Sequence, residues 1–189
     1  MNDELLFADD HEDESVEYQG TWKILIVDDE PEIHAVTKLA LSDFEFQNRN
    51  LEFISVFNGE QAREVLLKER DIAVVLLDVV METDDAGLRI ADFIRNEANN
   101  HFIRIILRTG QPGQAPERDV IINYDINDYK SKTELTAQKL FTVVIAALRS
   151  YRDIVAIDEN RIGLEKIISA SANLFQTHSL ENFIQGIVQ

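Results

Sequence analysis

The segment WKILIVDD, residues 22–29, passes from a largely apolar run into two adjacent carboxylates, Asp28 and Asp29, with Glu30 beside them. Two unit charges about 4 Å apart repel by roughly 4 kcal/mol at an effective dielectric near 20, so such a cluster requires solvent, distance or a cation. Asp78 closes the apolar run IAVVLL (72–77), Thr109 follows RIILR (104–108), and DINDYK (125–130) ends in Tyr129 and Lys130. Three carboxylates, a hydroxyl and an ammonium at the ends of apolar runs suit Mg²⁺, which takes one or two carboxylates plus phosphate oxygens and keeps several waters. The chemistry implied is the handling of a cation and a phosphoryl group.

Such residues converge only if the runs before them are strands lying side by side. The chain alternates accordingly. WKILIV precedes EIHAVTKLALSDF, whose Ile33, Val36, Leu39 and Ala40 recur at helical spacing, with Pro31 at the start. The same strand-then-helix unit recurs as LEFISVF (51–57) with GEQAREVLLKE (59–69), IAVVLLDVV (72–80) with LRIADFIRNEA (88–98), and FIRIILRTG (102–110) with APERDVIINY (115–124). DINDYK is a fifth strand, followed by a long helix from near Thr133. Near-continuous apolar strands alternating with helices predict an α/β fold: a doubly wound, five-stranded parallel sheet with helices on both faces. In such sheets the functional crevice lies beyond the carboxyl ends of the strands, where Asp28, Asp29, Asp78, Thr109 and Lys130 fall.

Composition bounds the alternatives. The 189 residues carry 35 acids against 18 bases, a formal charge of −17, which argues against phosphate-driven nucleic-acid binding. There is no cysteine, hence no disulfide or thiolate metal site. No apolar run is long enough to span a bilayer and the acidic start lacks the features of a signal peptide, so a cytoplasmic location without membrane contact is expected. Residues 1–20 hold eight acids and no Lys or Arg, the composition of a disordered, solvated tail. The four histidines, His11, His34, His101 and His178, are scattered and form no metal or catalytic set.

Asp28-Asp29 after the first strand, Asp78 after the third, Thr109 after the fourth and Lys130 after the fifth resemble the signature of response-regulator receiver domains, over roughly residues 21–150. Alone, each residue reads as a helix cap, a turn residue or a surface lysine; the five in order on successive strand ends are far more specific. The resemblance implies a flavodoxin-like fold and a phosphoacceptor role for Asp78. It further implies Mg²⁺ held by Asp28, Asp29, Asp78 and the Val80 backbone carbonyl, with Thr109 as the switch hydroxyl and Lys130 as the phosphate-pairing ammonium. It implies a sensor histidine kinase or phosphotransfer protein as partner, and a regulatory domain that is not an enzyme beyond its own phosphorylation and dephosphorylation. A receiver-like scaffold that dimerises without phosphorylation is the alternative. An Asp-nucleophile phosphatase fits less well, because the second acid it needs two residues past the nucleophile is replaced by Val80.

Several positions depart from the family pattern. Met81 is followed by Glu82 where proline is usual, and the loop VVMETDDAG is about one residue longer. The usual Lys-Pro is Lys130-Ser131, and the aromatic expected three residues before the lysine is Asn127, with Tyr129 nearby.

Beyond residue 150 the helical pattern continues. Spacing of 3.5 residues places Leu140, Val143, Ala147, Ser150, Ile154, Ile157, Arg161, Leu164, Ile168, Ser171 and Phe175 in one seam, which predicts a parallel coiled-coil dimer with 151–177 as its linker helix, weakened at Arg161 and Gly163. Ser179 is placed to cap a new helix, so that 178–189 resemble the first helix of a truncated, GAF-like domain. The RTGQPGQ loop resembles receivers placed ahead of cyclic-di-GMP output domains of the HD-GYP or GGDEF kind.

Overall fold

The structure is a computed structural model that describes residues 20–110, 121–122, 124–132 and 136–187, with side chains described as far as residue 171. The elements in chain order are β1 (Thr21–Val27), α1 (Pro31–Ala40), β2 (Glu45–Phe46), β3 (Arg49–Val56), α2 (Gly59–Lys68), β4 (Ile72–Asp78), α3 (Ala86–Asp92) with a π-helical turn at Phe93–Glu97, β5 (Arg104–Thr109), β6 (Asp128–Ser131) and α4 (Ala137–Ile187). The expected helix over 115–124 falls mostly on residues outside those described.

The sheet order is β2-β3-β1-β4-β5-β6. The five longer strands are parallel, as expected of the flavodoxin-like arrangement. A sixth, two-residue strand was not foreseen: β2 pairs antiparallel with β3 through the Gln47-Asn48 turn, both at positive φ (54° and 57°). Paired positive-φ residues form the turn whose twist matches a hairpin, yet Gln at its first position is not the usual Asn-Gly signal.

Pleat alternation divides the core in two. Leu25, Val27, Val75, Leu77, Ile105 and Leu107 pack with residues of α2 and α3. Ile24, Ile26, Val74, Leu76 and Ile106 pack with Leu41 after α1 and with Leu140, Val144, Ala147 and Leu148 of α4. Burial on both faces explains why β4 is apolar at every position before Asp78.

Two other elements differ from the sequence reading. The helix expected over 88–98 tightens into α3 and then widens into a π turn, where Ala98 N–H donates to Phe93 O at 2.8 Å. The turn carries buried Arg95, whose guanidinium donates to Ile103 O and Asp125 O at 2.9 and 3.0 Å, tying the end of α3 to the segment before β6. Helix α4 is continuous through Gly163 and Ser179, so no new helix starts at Ser179. At 51 residues it is ~77 Å long.

Candidate functional site

The alternation that sends Ile24 and Ile26 of β1 toward α1 and α4 also aims Asp28 to that side, and the same count along β4 and β5 brings Asp78 and Arg108 there. Asp28 is fully buried. Its Oδ1 accepts from Glu30 N–H at 3.1 Å and its Oδ2 accepts from Arg108 Nη2 at 3.3 Å. The imidazole of His34 supports the turn from below: Nε2 lies 2.7 Å from Asp28 O and Nδ1 3.0 Å from Ser55 Oγ. A carbonyl only accepts, so Nε2 carries the proton.

Asp78 is 3% exposed. Its Oδ2 accepts from Lys132 Nζ at 2.9 Å, while its Oδ1 is buried with no partner among the described residues. Asp28, Asp29, Glu30 and Asp78 each offer a carboxylate oxygen within 4.8 Å of the others. Asp29 and Glu30 are exposed, so the cluster opens to solvent on their side. A buried, unpartnered acceptor at the centre of a carboxylate set fits a hard cation or a phosphoryl group, since a buried oxygen without a donor is costly.

Burial pushes the Asp78 carboxyl above its ordinary range, against the hydrogen bond and charge of Lys132. For Lys132, burial pulls downward, but the bonds to Glu30 and Asp78 and the charges of Asp78 and Asp28 hold its ammonium above the usual lysine range. Glu30 is held low by its hydrogen bond to Lys132. Burial lowers Arg108, while Asp28 and Asp78 resist that shift.

The lysine among the carboxylates is Lys132, and the expectation for Lys130 is corrected. Lys132 Nζ lies 2.9 Å from Asp78 Oδ2, 3.2 Å from Asp28 Oδ2 and 2.8 Å from Glu30 Oε1. Lys130 pairs instead with Asp128 on its own strand at 2.9 Å. The reason is the register. Lys130 sits opposite Arg108, which in turn sits opposite Asp78. A lysine at that level faces a like charge on the intervening strand and turns away. Lys132 lies past the last ladder position, where its N–H donates to Thr109 O at 2.7 Å and its side chain folds back over the strand ends. A signal was present in the sequence: counted from Lys132, the residue three before is the aromatic Tyr129, which is buried against the core. The residue after Lys132 is Thr133, outside those described.

The remaining expected site residues take these places. Thr109 is buried at the end of β5. Val80 follows β4, its side chain packed on the core. The turn beyond it is closed by Gly87, whose N–H donates to Val79 O at 3.0 Å, and by Glu82, whose Oε1 accepts from Gly59 N–H at 3.0 Å at the start of α2. Glu82 thus ties the loop after Asp78 to a helix N-terminus. Arg108 and His34 are members of the site to which sequence reasoning assigned no role.

With this geometry in view, the comparisons with known proteins agree on the class. Residues 24–145 match the response regulator receiver domain, and residues 144–189 match a domain of unknown function (DUF3369). The chain belongs to the response-regulator receiver family. Among solved structures it is similar to the signal receiver domain of an HD domain-containing protein from Pseudomonas fluorescens Pf-5 (TM-score 0.58, 23% identity, 70% of this chain and 98% of that one). It is likewise similar to a receiver domain protein from Clostridium thermocellum (TM-score 0.59, 21% identity, 70% and 98%). A curated relative, 3'3'-cGAMP-specific phosphodiesterase 2 of Vibrio cholerae serotype O1, is 50% identical over 170 residues, 90% of this chain. The chain spans 33% of that relative. This relative, itself a phosphodiesterase, overturns the expectation of a purely regulatory, non-enzymatic protein. Among the described residues no helix is long and apolar enough to cross a membrane.

Proposed function

We propose that this chain is the phosphorylation-controlled receiver of a cyclic-dinucleotide phosphodiesterase. The observation that carries the phosphoryl reading is Asp78: a buried carboxylate with Oδ2 held by Lys132 and Oδ1 unpartnered. In this reading Oδ1 attacks the phosphorus of a phosphohistidine or small phosphoryl donor, an Asp78–phosphorus bond forms, and the bond from phosphorus to the donor's nitrogen or oxygen breaks. Lys132 neutralises the incoming phosphoryl oxygens, and Thr109, one residue beyond Arg108 on β5, answers as the switch hydroxyl. Tyr129, three residues before Lys132, takes the aromatic switch position. Mg²⁺, which would be held by Asp28, Asp29, Asp78 and the Val80 carbonyl, supplies charge neutralisation at the phosphoryl group.

The relative named above supports a cyclic-dinucleotide output, with 3'3'-cGAMP as the first substrate to assay. In this proposal residues 21–150 are the receiver and 151–177 a helical linker, two copies pair in parallel through α4, and the protein works in the cytoplasm with a histidine kinase or phosphotransfer protein as donor. The exposed Ile157, Leu164 and Ile168 support the pairing of α4. The test is incubation with acetyl phosphate and Mg²⁺, read by intact mass. Wild type is expected to gain one phosphoryl group and Asp78→Asn none; equal labelling of both would sink the assignment. In the full gene product, 3'3'-cGAMP hydrolysis is expected to respond to acetyl phosphate in wild type but not in Asp78→Asn, and a rate indifferent to both counts against the coupling.

A further inference from the structure

Arg108 is a buried guanidinium at the heart of the acidic cluster. It is 3% exposed and its one ion pair among the described residues is with Asp28, at 3.3 Å. Its Nη1 donates to Thr37 Oγ1 of α1 at 3.0 Å, and its Nε has no partner among the described residues. A guanidinium stays charged even where burial disfavours it, and a buried charge persists only when paired. Asp28 meanwhile is saturated: Oδ1 receives Glu30 N–H and Lys132, and Oδ2 receives Arg108 and Lys132. Asp78 Oδ1, by contrast, is open. The four carboxylates therefore face two fixed cations, and the two are unevenly placed: Lys132 reaches Asp28, Glu30 and Asp78, while Arg108 is committed to Asp28.

We propose that Arg108 is a built-in counter-charge that occupies Asp28 from the α1 side, so that the cluster binds a divalent cation weakly on its own and tightly once a phosphoryl group is present. Arg108 is in this sense a positioning residue, acting through Asp28 and not on the phosphoryl group. An approaching cation must share Asp28 with a guanidinium that cannot leave, because α1 and β5 hold both ends of it. A phosphoryl group brings new negative charge to Asp78 and offsets the repulsion between the two cations, which makes loading of the cation and of the phosphoryl group mutually dependent. Coupling of that kind is reciprocal, so each ligand strengthens the other by the same factor.

The inference rests on reading the cluster as a cation and phosphoryl site, and titration calorimetry separates the two. Mg²⁺ is titrated into the chain with and without beryllofluoride, which stands in for the phosphoryl group. Arg108→Gln removes the charge but keeps amide donors, and is expected to bind Mg²⁺ about tenfold more tightly than wild type without beryllofluoride and to show a smaller gain when it is added. Arg108→Lys and Thr37→Val keep the charge and are expected to stay within about threefold of wild type. Mg²⁺ binding by wild type with equal or weaker binding by Arg108→Gln overturns the counter-charge and leaves the site reading intact. Tightening in Thr37→Val equal to that in Arg108→Gln also overturns it, since loosening of α1 would then be the cause. Should Arg108→Gln fail to fold, an Arg108→Lys affinity more than tenfold from wild type overturns it, and one within threefold supports it. A wild type that binds no Mg²⁺ in either condition refutes both this inference and the reading of the site.

Discussion

The carboxyl end of the sheet and the far half of α4 depart from an ordinary globule in opposite directions. At the sheet end charge is buried: Asp28, Asp78 and Arg108 are all at most 3% exposed, and their positions follow from strand register and pleat. Along α4 past Tyr151 the reverse holds, with Ile157, Leu164 and Ile168 at least 60% exposed. The boundary is sharp because α4 uses Leu140, Val144, Ala147 and Leu148 against the sheet and then outruns it. The first three seam positions, Leu140, Val143 and Ala147, thus all serve the receiver's own core, and the apolar stripe left exposed for a partner lies beyond Tyr151, at Ile157, Leu164 and Ile168. Arg161, an inward position in that stripe, is paired within its own helix to Asp158 and Glu165 at 2.8 and 2.7 Å. One region is strained by what it buries, the other by what it leaves out. A substitution at the first should therefore alter the folded unit itself, and one at the second should alter association.

The strongest break in that comparison is expected at Gly87. A Cβ there would stand 2.0 Å from Asp78 O and 2.9 Å from Val79 Cα, with backbone on both counts, so Gly87→Ala should cost on the order of 3 kcal/mol and displace the loop after Asp78. Denaturant unfolding checks it, and a loss under about 0.5 kcal/mol would show that the loop has room to move. Next comes the pair of lysines. Lys132→Ala removes a charge-assisted bond to Asp78 and should slow phosphorylation by acetyl phosphate at least about tenfold, while Lys130→Ala should change it less than about twofold. Reversed results would return the phosphate-pairing role to Lys130.

A smaller effect follows from the raised pKa of Asp78. The folded protein holds this proton more tightly than the unfolded chain, so stability is lost as pH rises from the ordinary aspartate range through the raised value. Asp78→Asn removes that loss. Its melting temperature without Mg²⁺ should exceed that of wild type by a few degrees at neutral pH, and the gap should close below about pH 4. A gap that widened on acidification would contradict the sign. The smallest effect on the folded unit is expected on α4: Ile168→Asp should alter monomer stability by no more than about 0.5 kcal/mol, because the side chain is exposed. In sedimentation the same variant, with Ile154→Asp, should reduce association of wild type. A chain monomeric at high concentration before mutation would end the case for pairing through this helix.

The alternation of strands and helices, the parallel sheet, and the strand-end positions of Asp28, Asp29, Asp78 and Thr109 were legible in the sequence because each rests on local pattern. Apolar runs covered on both faces announce themselves by composition, and the point where such a run meets an acid marks the strand's carboxyl end. Which lysine reaches Asp78 is a different kind of fact. Lys130 and Lys132 are two apart and share a face, so pleat does not distinguish them; the choice depends on β6 being in register with β5 at Arg108, and on the like charge that Arg108 sets between Lys130 and Asp78. The capture of Asp28 by Arg108, 80 residues away in the chain, and of Asp125 by Arg95 through a π turn, are likewise products of packing between distant segments. Local periodicity determined the elements and the ends on which chemistry could stand. Long-range register, and the need of each buried charge for a partner, decided which side chains meet there.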